Sequence, residues 1–335
     1  METCYTLGID LSKKDFQTAL TVDGLNFFEQ SVENQSGSIR SYFKNLKEMF
    51  GCSFSQVVVC IEHTGIYSGP LLAFLIKHDI KVCIEPALQI KQSQGMIRGK
   101  SDTIDAKRIA LYALRNRDTL RFWRPQREVI QKLQALLSQR ERLVKIKVQL
   151  SVPLKESSAF MDASLHKILQ KNSASTQRAI VKDIKKIELQ IQGLVKSDDK
   201  LYKQYKWSTS VPGVGPFTAL NVIIATGEFT RITDTKKFAC YAGVAPFEHT
   251  SGSSIRGKTR VSKMANMAMK KLLHLAAISA IQYCEEIKTY YERKVSAGKN
   301  RMSVVNAVRN KLITRIFMCV KQERIYQKNY QNAFV

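Results

Sequence analysis

Four carboxylates in this 335-residue chain sit where chemistry is possible. Asp10 lies in TLGIDLS and Glu62 in VVVCIEHTG, and each closes an apolar run at the point where a strand meets its loop. Asp102 and Asp105 lie in KSDTIDAKRIALYA, where a spacing of three at a helix start puts both on one face. If the first and fourth strands are neighbours, the four acids converge near one sheet edge. Such a cluster repels itself unless cations sit within it, and Mg²⁺ held by carboxylate oxygens is the usual solution where phosphoryl groups are transferred. Simpler roles exist for some of them. Ser101 or Asp102 with Asp105 also fits a capping arrangement at a helix N-terminus, and Asp10 alone is an ordinary turn residue. Glu62 is harder to explain that way, because a Glu that ends a run of Val, Val, Val, Cys and Ile is poorly placed unless it ligates something. His63 has no second histidine nearby in sequence and reads as a packing or solvent-exposed residue.

A second set of residues is basic and hydroxylic. TSGSSIRGKTRVSK offers Ser251, Ser253 and Ser254 beside Arg256, Lys258, Arg260 and Lys263. Taken alone, a Gly/Ser loop flanked by cations is more often a phosphate-contacting linker than a nucleophile. The PGVG turn from Pro212 to Gly215 is a further candidate for nucleic-acid contact. Gly213 and Gly215 would let backbone N–H groups approach a phosphate, although a tight turn between two core helices explains them equally well. Trp123 and Trp207 can stack on bases, but burial against the intervening helices accounts for both.

The elements that must position these groups follow from periodicity. Cys4 to Leu11, Phe16 to Val22 and Leu25 to Val32 read as three antiparallel strands, with Asp23 and Gly24 as a hairpin turn. Gln56 to Glu62 reads as a strand covered on both faces, followed by a helix over Tyr67 to Lys77, a strand over Lys81 to Glu85 and another helix. Hairpin strands followed by alternating strand and helix give a mixed sheet with helices packed on it. Val129, Leu136, Leu143 and Leu150 then recur every seven residues until Pro153, which is expected to stop the helix. Ile180, Ile184, Ile187, Ile191 and Leu194 form a second coiled-coil seam. Two such helices joined by Ser151 to Ser175 make an antiparallel arm or a dimerisation element. After Trp207 a helical domain is expected, with a loop near Thr250 to Gly257 and helices to about residue 325. Ala265, Met269, Leu272 and Ala276 form one apolar stripe and Val305, Val308, Leu312 and Ile316 another, while Lys263, Lys270 and His274 share a polar face. The boundaries expected are 1–120, 121–205 and 206–335.

Charge separates the same regions. Lys and Arg number 53 against 28 Asp and Glu, a formal net charge of +25. The first hundred residues balance to zero, so the whole excess lies downstream. A polyanionic partner, gripped by the later segments, is the usual reason for that excess. Packaging proteins carry basic charge throughout, which the neutral first third argues against. The seven cysteines are scattered without a CxxC pair, as in a reducing cytosol without a zinc site. Asp10 and Lys13 interrupt any apolar signal segment, and the stretch from Trp207 to Gly227 is broken by prolines and glycines, so the reading is cytoplasmic, with no membrane span.

GIDLSKKDF, CIEHTGIY and SDTIDAKRIA resemble the three acidic motifs of DEDD transposases, the insertion-sequence family that includes Piv-type DNA invertases. SVPGVGPFTA resembles the helix-hairpin turn of that family's C-terminal domain, and FACYAGVAPFEHTSGSSIRGKTRVSKMAN its serine-bearing signature. The resemblance runs in order over almost the whole chain. It implies an α/β ribonuclease-H-like (RuvC-like) N-terminal domain, a helical coiled-coil arm, and a mostly α C-terminal transposase domain. It also implies that Asp10, Glu62, Asp102 and Asp105 hold Mg²⁺ or Mn²⁺ in a two-metal site, and that Ser251, directly before Gly252, is the nucleophile. Arg256 and Lys258 would neutralise phosphate charge. Because serine and acids belong to different domains, the family pattern implies a composite site shared within a dimer or tetramer. Members of the family are guided by a structured bridge RNA that pairs with donor and target DNA, whereas the invertases act at fixed sites. Two other readings use the same residues: a ribonuclease-H-like nuclease that activates water and leaves Ser251 idle, and a non-catalytic nucleic-acid binder whose acids only cap helices.

Overall fold

Two compact units make up the chain, Met1–Pro125 and Gln126–Val335. The structure is a computed structural model that describes residues 4–63, 65–93, 101–251, 255–262 and 264–328; for 248–251 and 255–260 it describes the backbone. No helix among the described residues is long and apolar enough to cross a membrane.

The first unit opens with a meander of β1 (Tyr5–Leu11), β2 (Asp15–Thr21) and β3 (Phe28–Glu33), followed by α1 (Ser36–Phe50). It continues through β4 (Val57–Glu62), α2 (Gly69–Lys77), β5 (Lys81–Glu85), α3 (Ala87–Gln92) and α4 (Asp102–Arg115). The sheet order is β3-β2-β1-β4-β5. β1 pairs antiparallel with β2 and parallel with β4, and β4 pairs parallel with β5. First and fourth strands are therefore neighbours, and the order and polarity agree with the ribonuclease-H-like expectation. The third strand starts three residues later than its hydrophobicity suggests. The Asp23 carboxylate accepts from the backbone N–H groups of Leu25 and Asn26, both at 2.9 Å, which holds these residues in a side-chain-closed turn outside the ladder.

The two faces of β1 bury different things. Leu7, Ile9 and Leu11 pack into a core with residues such as Phe43 of α1 and Leu75 of α2. On the other face, an added Cβ at Gly8 would lie 2.3 Å from both Ala106 O and Ala110 N. The α4 backbone is thus seated directly on β1, and Ala19, Ala106 and Ala110 form the small-residue cluster that allows it.

In the second unit α5 (Glu128–Ser157) and α6 (Ala163–Lys196) pair antiparallel, with Arg140 Nε donating to Glu188 Oε1 at 2.7 Å. Ile187 and Ile191 of α6 bury against Ile130, Leu133 and Leu137 of α5. Pro153 does not stop α5; the helix runs through it to Ser157, and the connection is five residues rather than Ser151 to Ser175. Gln149, whose carbonyl loses its helical donor to the proline, lies on the exposed side of the helix, where solvent can take the place of that donor. At the far end His166 Nε2 donates to Leu154 O at 2.7 Å and ties the two helices together.

The remainder comprises α7 (Asp199–Thr209), α8 (Pro216–Thr226), α9 (Thr235–Tyr241), the strands β6 (Pro246–Ser251) and β7 (Ile255–Val261), and α10 (Met267–Tyr283), α11 (Glu285–Ser296) and α12 (Arg301–Lys321). Val305, Val308, Leu312 and Ile316 of α12 are buried as expected. On α10 the buried leucine is Leu273 rather than Leu272, because the helix presents Met269, Leu273, Ala276 and Ala280 to the core. The loop expected near Thr250 to Gly257 is instead the end of an antiparallel hairpin, with Ser251 paired to Ile255 and a register shift between Phe247 and His249.

Gly8→Ala tests the seating of α4. Overpacking against backbone that has no rotamer to yield should cost about 2–3 kcal/mol or more, measured by urea unfolding, whereas Gly37→Ala, in α1 with nothing within 4 Å, should leave the midpoint unchanged or slightly raised.

Candidate active site

Alternation along the strands determines which residues share the α4 face. Gly8 is paired with Ala19 of β2 and Cys60 of β4, and Cys60 with Cys83 of β5. This row of small residues lies under α4, and Cys60 and Cys83 pack there with Ile109 and Tyr112. Two residues further along every strand the same face carries a different row: Asp10 on β1, Gln17 beside it on β2, Glu62 on β4 and Glu85 on β5. Two strand residues advance about 6.8 Å, and one helical turn advances about 5.4 Å. Beyond the end of α4, Arg117 Nη2 donates to Cys4 O at 2.7 Å and Thr6 Oγ1 at 3.0 Å, at the start of β1. Ala106 and Ala110 sit over Gly8, so α4 runs opposite to β1 and its first turn, with Asp102 and Asp105, lies toward Asp10. Asp10, Glu62, Asp102 and Asp105 are thus brought to one edge of the sheet.

The capping question is answered by Ser101, the N-cap residue of α4, whose Oγ accepts from Ile104 N. Asp105, half-buried, pairs through Oδ1 with Arg108 Nη1 at 2.7 Å. Asp102 is exposed, as is His63, while Asp10 and Glu62 are half-buried. Among the described residues no three His, Cys, Asp or Glu side chains form a ready-made metal cluster. Arg108 supplies Asp105 with the positive charge that a bound cation would supply, and the oxygen-only donor set of the four acids suits a hard cation such as Mg²⁺ or Mn²⁺.

Sequence reasoning missed Glu85. It is paired directly with Glu62, and burial holds its carboxyl above the usual range while Arg121 pulls it down. The signal was present: KVCIE repeats the Cys-Ile-Glu ending of VVVCIE, and the sheet aligns the two tripeptides residue for residue.

The second set lies in the other unit. Ser251 ends β6, and Arg256, Lys258 and Arg260 occupy alternate positions of β7. Lys263, Ser253 and Ser254 lie outside the described residues. Gly213 has φ +84° and an added Cβ would meet Ala276 O at 2.5 Å, so its missing side chain admits α10. Gly215 has open space around its Cα and forms the N-cap of α8. Trp123 packs on the core of the sheet and Trp207 on the helical core of the second unit.

Residues 7–157 match the family of IS110-type DEDD transposases, described as Transposase, and residues 208–292 match the one described as the Transposase IS116/IS110/IS902 family. The chain belongs to the IS110 family of DEDD transposases. Among its relatives, the pilin gene-inverting protein of Moraxella bovis is 26% identical over 326 residues, covering 96% of this chain and 97% of that protein. The insertion element IS110 43.6 kDa protein of Streptomyces coelicolor is 27% identical over 154 residues, covering 46% of this chain and 37% of that protein. Among solved structures, Thermus thermophilus RuvC in complex with a Holliday junction substrate matches with a TM-score of 0.29 at 14% identity, over 36% of this chain and 99% of that one. The IS110-family assignment spans both the acidic edge and the β6–β7 hairpin that carries Ser251.

Glu85 gives this transposase edge a measurable pH signature. A carboxyl whose folded pKa is raised destabilises the fold once it ionises, and this effect disappears when it is protonated in both states. With divalent cations chelated, Glu85→Gln should raise the melting temperature near pH 8, and the gain should shrink as pH falls into the carboxylate range.

Proposed function

We propose that this chain cuts and rejoins DNA through a covalent phosphoserine intermediate, with Ser251 as the nucleophile and Asp10, Glu62, Asp102 and Asp105 as the ligands of Mg²⁺ or Mn²⁺. The observation that carries the reading is the convergence of the β1 and β4 ends with the first turn of α4, which gathers the four acids at one edge. Family membership and the inverting activity named for its Moraxella relative support DNA recombination as the outcome. A basic excess confined to the later segments suits a nucleic-acid partner.

The step balances as a transesterification. The Ser251 oxygen bonds to phosphorus, one P–O bond of the DNA backbone breaks, and the departing sugar oxygen takes up a proton to match the one the serine loses. Bound metal ions supply Lewis-acid neutralisation of phosphate charge and make the hydroxyl easier to deprotonate. Arg256 and Lys258, near Ser251 in sequence, add positive charge where the phosphorane-like transition state gathers negative charge, and Arg260, Lys263 and Gly215 contribute phosphate contacts that carry no sequence information. Since Ser251 and the acids lie in different units, the reaction brings the two together, within one chain or between protomers of an oligomer. Sequence choice is assigned to a structured guide RNA, as the family resemblance implies.

With Mg²⁺, DNA spanning its own locus and RNA co-expressed from it, the purified protein should form an SDS-resistant DNA adduct. Ser251→Ala should abolish the adduct, and Asp10→Asn or chelation of the metal should lower its rate by at least about a hundredfold. Metal-dependent cleavage without an adduct, unchanged in Ser251→Ala, would leave a water-activating nuclease in its place.

A further inference from the structure

The polar face of α10 has no part in the acidic edge, yet it meets a buried cation. Arg309 of α12 is only 5% exposed. Its Nη2 lies 2.7 Å from His274 Nδ1, its Nη1 donates to Asn306 Oδ1 at 3.2 Å, and its Nε is buried without a partner. A guanidinium can only donate, so His274 must accept through Nδ1 and stand neutral with its proton on Nε2. Burial, with the Arg309 charge added, holds the His274 pKa below its ordinary value, in keeping with that tautomer. Both described partners of Arg309 are thus uncharged, and a buried cation so placed is costly compared with an apolar side chain.

What this arrangement fixes is the foot of the serine hairpin. Asn306 Nδ2 donates to Val244 O at 2.7 Å, two residues before β6 begins. An asparagine amide can be turned over, and the reversed orientation would set its carbonyl against Val244 O. Arg309 prevents this by binding Oδ1, and its planar fork reaches His274 on α10 at the same time. A neutral side chain could make either bond; the fork makes both. Val244 is also held by its own N–H to Ala239 O at 2.9 Å. The opposite foot is pinned by Asn266, which donates through its backbone N to Tyr241 O at 2.8 Å and through Nδ2 to Tyr241 Oη at 2.7 Å.

We infer that Arg309 is a positioning residue for the Ser251 chemistry: with neutral His274 it locks the Asn306 amide that holds Val244 and so sets the angle at which the β6–β7 hairpin leaves the helical core. This rests on the reading of Ser251 as nucleophile. Arg309→Gln and His274→Leu should each lower the rate of adduct formation by about tenfold or more, with DNA affinity within about twofold of the parent. Both should also speed hydrogen exchange of the backbone amides in 247–251. His274→Gln keeps an acceptor for the guanidinium and should restore both readouts. Unchanged adduct rate and exchange in Arg309→Gln would overturn the inference, as would a His274→Gln variant as impaired as His274→Leu. If Arg309→Gln does not fold, the two His274 variants decide. If the parent protein forms no adduct, the serine reading fails, and hydrogen exchange still decides whether Arg309 holds the hairpin.

Discussion

The seating of α4 on β1 is the contact on which the acidic edge depends. Two acids come from strand ends and two from a helix, and their relative placement is set by how closely that helix can approach. With any side chain at position 8, the helix would have to rise off the sheet, because the atoms facing Gly8 are backbone atoms of Ala106 and Ala110 and cannot move independently. Ala19, Ala106 and Ala110 extend the same condition around the contact. Close packing here is geometric rather than energetic, since small residues bury little apolar area. The apolar stabilisation comes from the opposite face, where Leu7, Ile9 and Leu11 meet the aromatic and aliphatic side chains of α1 and α2.

The sheet brings like charges together as well as apolar groups. Glu62 and Glu85 are direct neighbours across β4 and β5, with Asp10 on the next strand. Arg108 and Arg121 offset part of the negative charge, the first by pairing with Asp105 and the second by drawing down Glu85. In the second unit the same economy of buried charge appears with reversed sign, where Arg309 is solvated by a neutral imidazole and a neutral amide.

Much of this was legible in the residues themselves. Apolar runs located the central strands, and the family motifs pointed to Asp10, Glu62 and the Asp102–Asp105 pair. What escaped the sequence depended on partners far away in the chain. Glu85 has the look of a surface residue until the register sets it beside Glu62, although the repeated Cys-Ile-Glu ending carries the hint. Pro153 reads as the end of a helix, but exposure of Gln149 lets water take the freed carbonyl. Gly213 fits a phosphate-binding turn and a packing turn alike, and its close packing on Ala276 and Ala280 depends on residues some sixty positions away. The cations of β7 mask a strand, because Arg and Lys are common in loops even when they alternate regularly with Ile255, Gly257, Thr259 and Val261.

The hairpin is also a lever. β6 spans six residues, roughly 20 Å at about 3.4 Å per residue, and Ser251 sits at its far end. Over that length a tilt of about 5° at the foot moves the tip by roughly 1.7 Å, and misplacement of about 1 Å can cost a reaction about a hundredfold. For the proposed nucleophile Ser251, hydrogen bonds at Val244 and Asn266 act at the pivot of this lever, so rigidity there sets how accurately the tip is carried.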